Sequence, residues 1–222
     1  MGSHMTFSRM DGKQTAGYLA KAGKDHAPGV VVIQEWWGLA GNIIAVCERL
    51  ALNGYDALAP DLYAGVIVPY HDHDAAEKEM KSLNFQDVSQ NVVQGAIAYL
   101  AKSSPKVAMT GFCMGGAVTM LAATAPGLSG VAPFYGLPPD EYLDVSKIKV
   151  PVQGHFSNTD DFVTPARADA FEAALKKAGV KNEIYRYDAG HAFMNEQRVV
   201  HDRAAAEVAW GRLLKFFGEN LK

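Results

Sequence analysis

Residues 110–116 read TGFCMGG, which places Cys113 in a Gly-x-Cys-x-Gly-Gly frame. The cysteine directly follows the apolar run KVAMTGF (106–112), which has the character of a strand. It precedes MGGAVTMLAAT, whose small residues suit a helix packed closely on a sheet. A tight strand-to-helix turn lifts its middle side chain out, and flanking glycines relieve clashes with neighbouring backbone. The start of the following helix also favours a thiolate, because its free N–H groups and dipole stabilise negative charge. Two more reactive positions stand in the same kind of place. Asp160 and Asp161 follow VPVQGHF (150–156), and His191 follows NEIYRYD (182–188) within DAGHAF. Together these residue types do acyl transfer: a thiolate attacks the acyl carbon, an imidazole carries the proton, and a carboxylate holds the ring in the useful tautomer. A buried cysteine among small residues is also ordinary packing. The order nucleophile, acid, histidine, each at a strand end, favours the chemical reading. Spacing alone does not choose between Asp160 and Asp161.

The elements that must position these groups alternate along the chain. GVVVIQE (29–35), YDALAPD (55–61) and SGVAPFYG (129–136) join the three runs above as strand candidates. Between the first two, NIIAVCERLALNG (42–54) has Asn42 as a candidate N-cap and Gly54 as a C-terminal stop. Val88, Val92, Val93, Ala96, Ile97 and Leu100 mark one face of a helix, and helical stretches follow at 166–178 and 202–220. Residues 6–20 have the outline of an edge hairpin, and GLPPDEY (136–142) is a loop. Strand–helix alternation predicts an α/β fold with a mostly parallel sheet and helices on both faces. Ligands then bind at the carboxyl ends of the strands.

Bulk properties narrow the function classes. The 222 residues are 49% apolar and 20% charged, enough for one domain with a large core. A net charge of −3 argues against a nucleic-acid or anionic-membrane surface. No run reaches the roughly 18 apolar residues of a membrane span. The opening MGSHM has the composition of an expression leader, so residues 1–5 are set aside and 6–222 read as a single domain. Two cysteines, Cys47 and Cys113, make no disulfide framework, which points to a reducing, cytoplasmic setting. No CxxC accompanies Cys113, so a redox role is disfavoured. The run HDHD (71–74) is polar and loop-like, without a recognisable ligand cluster, and no metal or organic cofactor is expected. His155 reads as a hydrogen-bonded structural histidine and Cys47 as core.

Five stretches, QEWWGL (34–39), APDLY (59–63), GFCMGG (111–116), DDFVTP (160–165) and GHAF (190–193), run in family order. Through them the chain resembles the dienelactone hydrolase (carboxymethylenebutenolidase-like) family, a branch of the α/β-hydrolases whose nucleophile is cysteine. The resemblance implies Cys113 as nucleophile, His191 as base and Asp160 as orienting acid. It gives Glu35 the task of accepting the thiol proton, and it implies Trp36 and Met114 as backbone donors to an oxyanion. The family holds its small anionic lactone with arginines, one of them four residues after the histidine. Here that position is Asn195, and residues 64–85 contain no arginine. Lys78, Lys81 or Arg198 are the replacements at hand, although a lysine lacks the bidentate fork. Trp36, Trp37, Tyr63, Phe134 and Tyr135 are candidates for an aromatic pocket, with Trp37, Tyr135 and Asn195 the expected substrate contacts.

The implied function is cysteine-dependent hydrolysis of a small lactone or ester through a thioester acyl-enzyme, with a place in aromatic degradation. The chain is expected to act as a monomer or weak homo-oligomer. Two other readings stand beside it: a carboxylesterase for neutral short-chain esters, and a ligand-binding protein of the same fold without turnover.

Overall fold

The computed structural model describes residues 1–221. Eight strands among the described residues form one sheet: β1 (Ser3–Ser8), β2 (Gln14–Ala20), β3 (Gly29–Ile33), β4 (Asp56–Pro60), β5 (Val107–Phe112), β6 (Leu128–Phe134), β7 (Val152–Thr159) and β8 (Asn182–Gly190). Their order across the sheet is β1-β2-β4-β3-β5-β6-β7-β8. β2 pairs antiparallel with both β1 and β4, which makes the N-terminal hairpin an edge. Every other pairing is parallel, as the strand–helix alternation predicts.

β3 shows why the sheet is covered twice. Its five residues are all buried, and their side chains alternate between two cores. Val31 and Ile33 pack with Val93, Ile97 and Leu100. Val30 and Val32 face the other way, towards Ile43, Leu50 and Leu213. Two helices cover this second face: α1 (Gly41–Leu52) and α7 (Arg203–Asn220). Opposite them lie α4 (Gln94–Leu100), α5 (Met114–Leu121) and α6 (Pro165–Lys177). Two further helices, α2 (His73–Ser82) and the three-residue α3 (Phe85–Asp87), lie before α4.

Local chemistry explains the helix ends. Thr164 accepts from the Arg167 N–H with Pro165 at the first helical position of α6, and Asp202 accepts from Ala205 N–H at the start of α7. After α1, Gly54 takes φ +90°, a left-handed conformation that stops a helix at little cost in glycine.

At four places the structure adds to or differs from these expectations. Asn42 is not the cap of α1; that position is Ala40, without a side-chain cap, and the Asn42 amide is committed elsewhere. The HDHD run is not a loop throughout, because Asp72 caps α2 and His73 begins it. The helix carrying Val88 to Leu100 includes a π turn at Val88–Val93 between α3 and α4. Residues 3–5, set aside as leader, form half of β1.

Candidate active site

β5 ends at Phe112, α5 begins at Met114, and Cys113 makes the whole turn between them with φ 54° and ψ −119°. A side chain rarely adopts such a backbone, and here it is held by close packing on both sides. A Cβ at Gly136 would overlap the Cys113 carbonyl oxygen, and one at Gly115 would overlap the carbonyl oxygens of Ile33 and Gln34. The Cys113 N–H also donates to the Phe134 carbonyl at 3.0 Å. The same contacts bring the start of α5 against the turn after β3. As the first residue of α5, Met114 presents an N–H with no intrahelical acceptor. Trp36 lies two residues beyond Gln34, in that facing turn.

His191, directly after β8, places Nε2 3.1 Å from Cys113 Sγ and Nδ1 2.8 Å from Asp160 Oδ2. Asp160, directly after β7, accepts the N–H groups of Phe162 (2.8 Å) and Val163 (3.1 Å) through Oδ1, which fixes the carboxylate. The structure thereby separates the two aspartates: Asp160 is buried against the imidazole, while Asp161 is exposed at the cavity mouth. Burial disfavours the imidazolium, but the hydrogen bonds to Asp160 and Cys113 outweigh it and hold the pKa of His191 well above its usual range.

Glu35 is only 1% exposed. Its carboxylate accepts from Asn195 Nδ2 at 2.6 Å, Tyr135 Oη at 3.2 Å and Asn42 Nδ2 at 3.3 Å. Burial raises its pKa, and the Asn195 bond, the nearby His191 charge and the Tyr135 bond pull it back. Three neutral donors therefore stabilise a carboxylate that forms no ion pair among the described residues. Tyr135 itself stands at φ 36°, fully buried, with its ring edge-on to His191 at 5.2 Å.

A cavity of about 1000 Å³ opens over these groups. Cys113, His191, Glu35, Trp36, Trp37, Met114 and Tyr135 all line it. Asn195 does not; it lies behind the wall, where its amide holds Glu35, so it is not placed to touch substrate. Tyr63 and Phe134 are likewise core residues, each packed in one of the two main clusters. Arg198 lines the cavity with its guanidinium 5.2 Å from the centre of the Trp37 ring, whereas Lys78 and Lys81 are exposed, Lys81 pairing with Glu77. His155 is buried between Tyr187 Oη (2.7 Å from Nδ1) and Gln153 Oε1 (3.0 Å from Nε2), and it stacks on Phe134. Cys47 is fully buried and its thiol pKa is pushed far up by burial. Asn42 and Arg167 are site residues that the sequence reading missed. Neither has a motif; only the fold brings them here.

A mostly parallel sheet in this strand order, with a strained strand-to-helix turn facing a histidine and an aspartate from later strand ends, defines an α/β-hydrolase. The chain belongs to the dienelactone hydrolase family, whose model matches residues 15–221. It is 36% identical over 235 residues to "Protein usf" of Aquifex pyrophilus, and the match spans the whole of both chains. A "Putative carboxymethylenebutenolidase" of Aquifex aeolicus is 34% identical over 236 residues, again end to end. A crystal structure from Klebsiella pneumoniae, described as a putative dienelactone hydrolase, superposes with a TM-score of 0.88 at 27% identity, covering 98% of this chain and 99% of that one. The chain is therefore a dienelactone hydrolase-like hydrolase acting on ester bonds. No helix among the described residues is long and apolar enough to cross a membrane.

Proposed function

We propose that Cys113 is the nucleophile of this hydrolase, with His191 as its base and Asp160 as the group that orients the ring. The observation that carries this reading is the unbroken chain Sγ, Nε2, Nδ1, Oδ2, with links of 3.1 and 2.8 Å, starting from a side chain raised on a left-handed turn.

In the first half-reaction His191 takes the thiol proton as the sulfur attacks the acyl carbon, the carbonyl electrons move onto oxygen, and the Trp36 and Met114 N–H groups receive that oxyanion. When the carbonyl re-forms, the C–O bond to the alcohol or lactone oxygen breaks and His191 gives that oxygen its proton. The product is a thioester on Cys113. In the second half, water attacks the thioester, His191 takes the water proton, and the C–S bond breaks to release the acid. Oxyanion donors are backbone groups worth roughly 3–4 kcal/mol each, so side-chain changes at Trp36 or Met114 test them poorly.

Glu35 assists in two ways. Its charge stabilises the imidazolium formed on His191, and where its carboxylate turns from its three donors it becomes a second acceptor of the thiol proton. The substrate is a lactone or ester whose carboxylate, where it has one, is not gripped by the arginine pair of the family pattern. Arg198, stacked on Trp37, is the cation nearest to that task.

The test is hydrolysis of cis- and trans-dienelactone, uncharged lactones and short p-nitrophenyl esters by wild type and Cys113→Ala. Turnover that disappears in Cys113→Ala, with acylated Cys113 seen by intact mass after an acid quench, is the expected result. Equal turnover by both proteins overturns the nucleophile assignment.

A further inference from the structure

The cavity does not end at the reactive sulfur. Met114, Ala117 and Leu121 all line it. At 1.5 Å per residue, this i, i+3, i+7 stripe runs about 10 Å along one face of α5. Met80 of α2, Phe85 of α3 and Leu137 line the same cavity, with the amides of Gln86 and Gln90 beside them, so this arm is walled mainly by apolar side chains with two neutral polar ones.

The two arginines of the cavity are both engaged. The Arg167 guanidinium donates to the Pro138 carbonyl and lies 3.5 Å from Asp140 Oδ1. Arg198 is stacked on Trp37. Arg167 belongs to α6 and Arg198 follows β8, so neither comes from the α2, α3 and α5 residues that give the arm its mainly apolar wall. Its direction follows from the chemistry at Cys113. The leaving oxygen must face His191 Nε2 to collect a proton, whereas the α5 stripe begins at Met114, on the oxyanion side.

We infer that this arm is an acyl-chain subsite, which makes the enzyme selective for esters with an uncharged, unbranched acyl chain of medium length. The inference rests on the assignment of Cys113 as nucleophile, and its test separates the two. Burying one methylene gains about 0.8 kcal/mol, up to about fourfold in kcat/KM. For p-nitrophenyl esters from acetate to decanoate, kcat/KM rises by roughly two- to fourfold per methylene until the arm is full, near octanoate, and then levels. In Leu121→Trp the octanoate-to-acetate ratio falls at least tenfold.

A second readout needs neither turnover nor a variant. Alkylation of wild-type Cys113 by N-ethyl- and N-octylmaleimide is followed by intact mass, with glutathione as the free-thiol reference. A larger octyl-to-ethyl rate ratio on the protein than on glutathione supports the arm. Equal ratios, or a Cys113-dependent ester profile that is flat or falls with chain length, overturn it. Equal ester hydrolysis by wild type and Cys113→Ala overturns the nucleophile assignment, and the maleimide ratio then decides the arm alone.

Discussion

At the scale of single residues, the site is defined by which group each carboxylate holds. Asp160 is tied by two backbone N–H groups and aimed at His191, while Glu35 is buried among three neutral donors. The shortest of those donors is Asn195, so its loss has a calculable effect. Burial already raises the pKa of Glu35, and removing the Asn195 bond raises it further. An acid whose folded pKa lies above its unfolded value destabilises the fold as pH rises past the unfolded value. Asn195→Ala should thus cost about 1–3 kcal/mol at pH 7 and less near pH 4, where the carboxyl is protonated. Urea unfolding at the two pH values measures it, and an equal cost at both refutes the account. Cys113, His191 and the pair Asp160–Asp161 were legible because each follows a strand and carries its own reactive group, while the choice of Asp160 within the pair came from the family resemblance. Asn195 was legible only as a departure from the family pattern, since its partner is 160 residues away in the chain.

At the scale of elements, the close approach of α5 to the end of β3 brings Met114 and the turn that carries Trp36 together, the two donors of the proposed mechanism. Gly115 makes that approach possible, because a methyl group there meets two carbonyl oxygens of the facing chain. Gly115→Ala should destabilise the protein by about 1–3 kcal/mol through overpacking. It should also lower kcat more than KM changes, because an oxyanion donor acts mainly in the transition state. A variant with normal kcat and reduced melting temperature would separate the two effects and refute the second. The sheet was readable from buried β-branched runs, and α1, α4, α6 and α7 from their apolar faces. α2 was not, because only Ala76 among its ten residues is buried and no apolar period survives. The π turn was equally hidden, since Val88, Val92 and Val93 face the core within a helix of either kind.

At the scale of the whole molecule, His155 is a group expected to make stability fall in acid. Burial and the nearby Arg212 charge lower its pKa from 6.5 to about 3. A histidine with a depressed folded pKa is protonated first in the unfolded chain, so stability is present above about pH 6.5 and is lost as pH falls towards 3, by about 1.4 kcal/mol per pH unit. His155→Gln removes the titrating group, and the slope of unfolding free energy against pH should flatten across that window. An unchanged slope would place the acid sensitivity elsewhere.

The first strand carries a different consequence, one about neighbours. Ser3, His4 and Met5 pair with Leu19, Tyr18 and Gly17, and so cover part of the outer side of β2. Trimming residues 1–5 would move the open edge there from Ser3–Met5 of β1 to Gly17–Leu19 of β2, a stretch with Tyr18 and Leu19 on which a second copy can add its own strand. The trimmed chain should therefore self-associate more strongly than the full chain, with the difference visible as a concentration-dependent shift in sedimentation. Identical sedimentation of the two would mean that the bared part of β2 is no better a template than β1 itself.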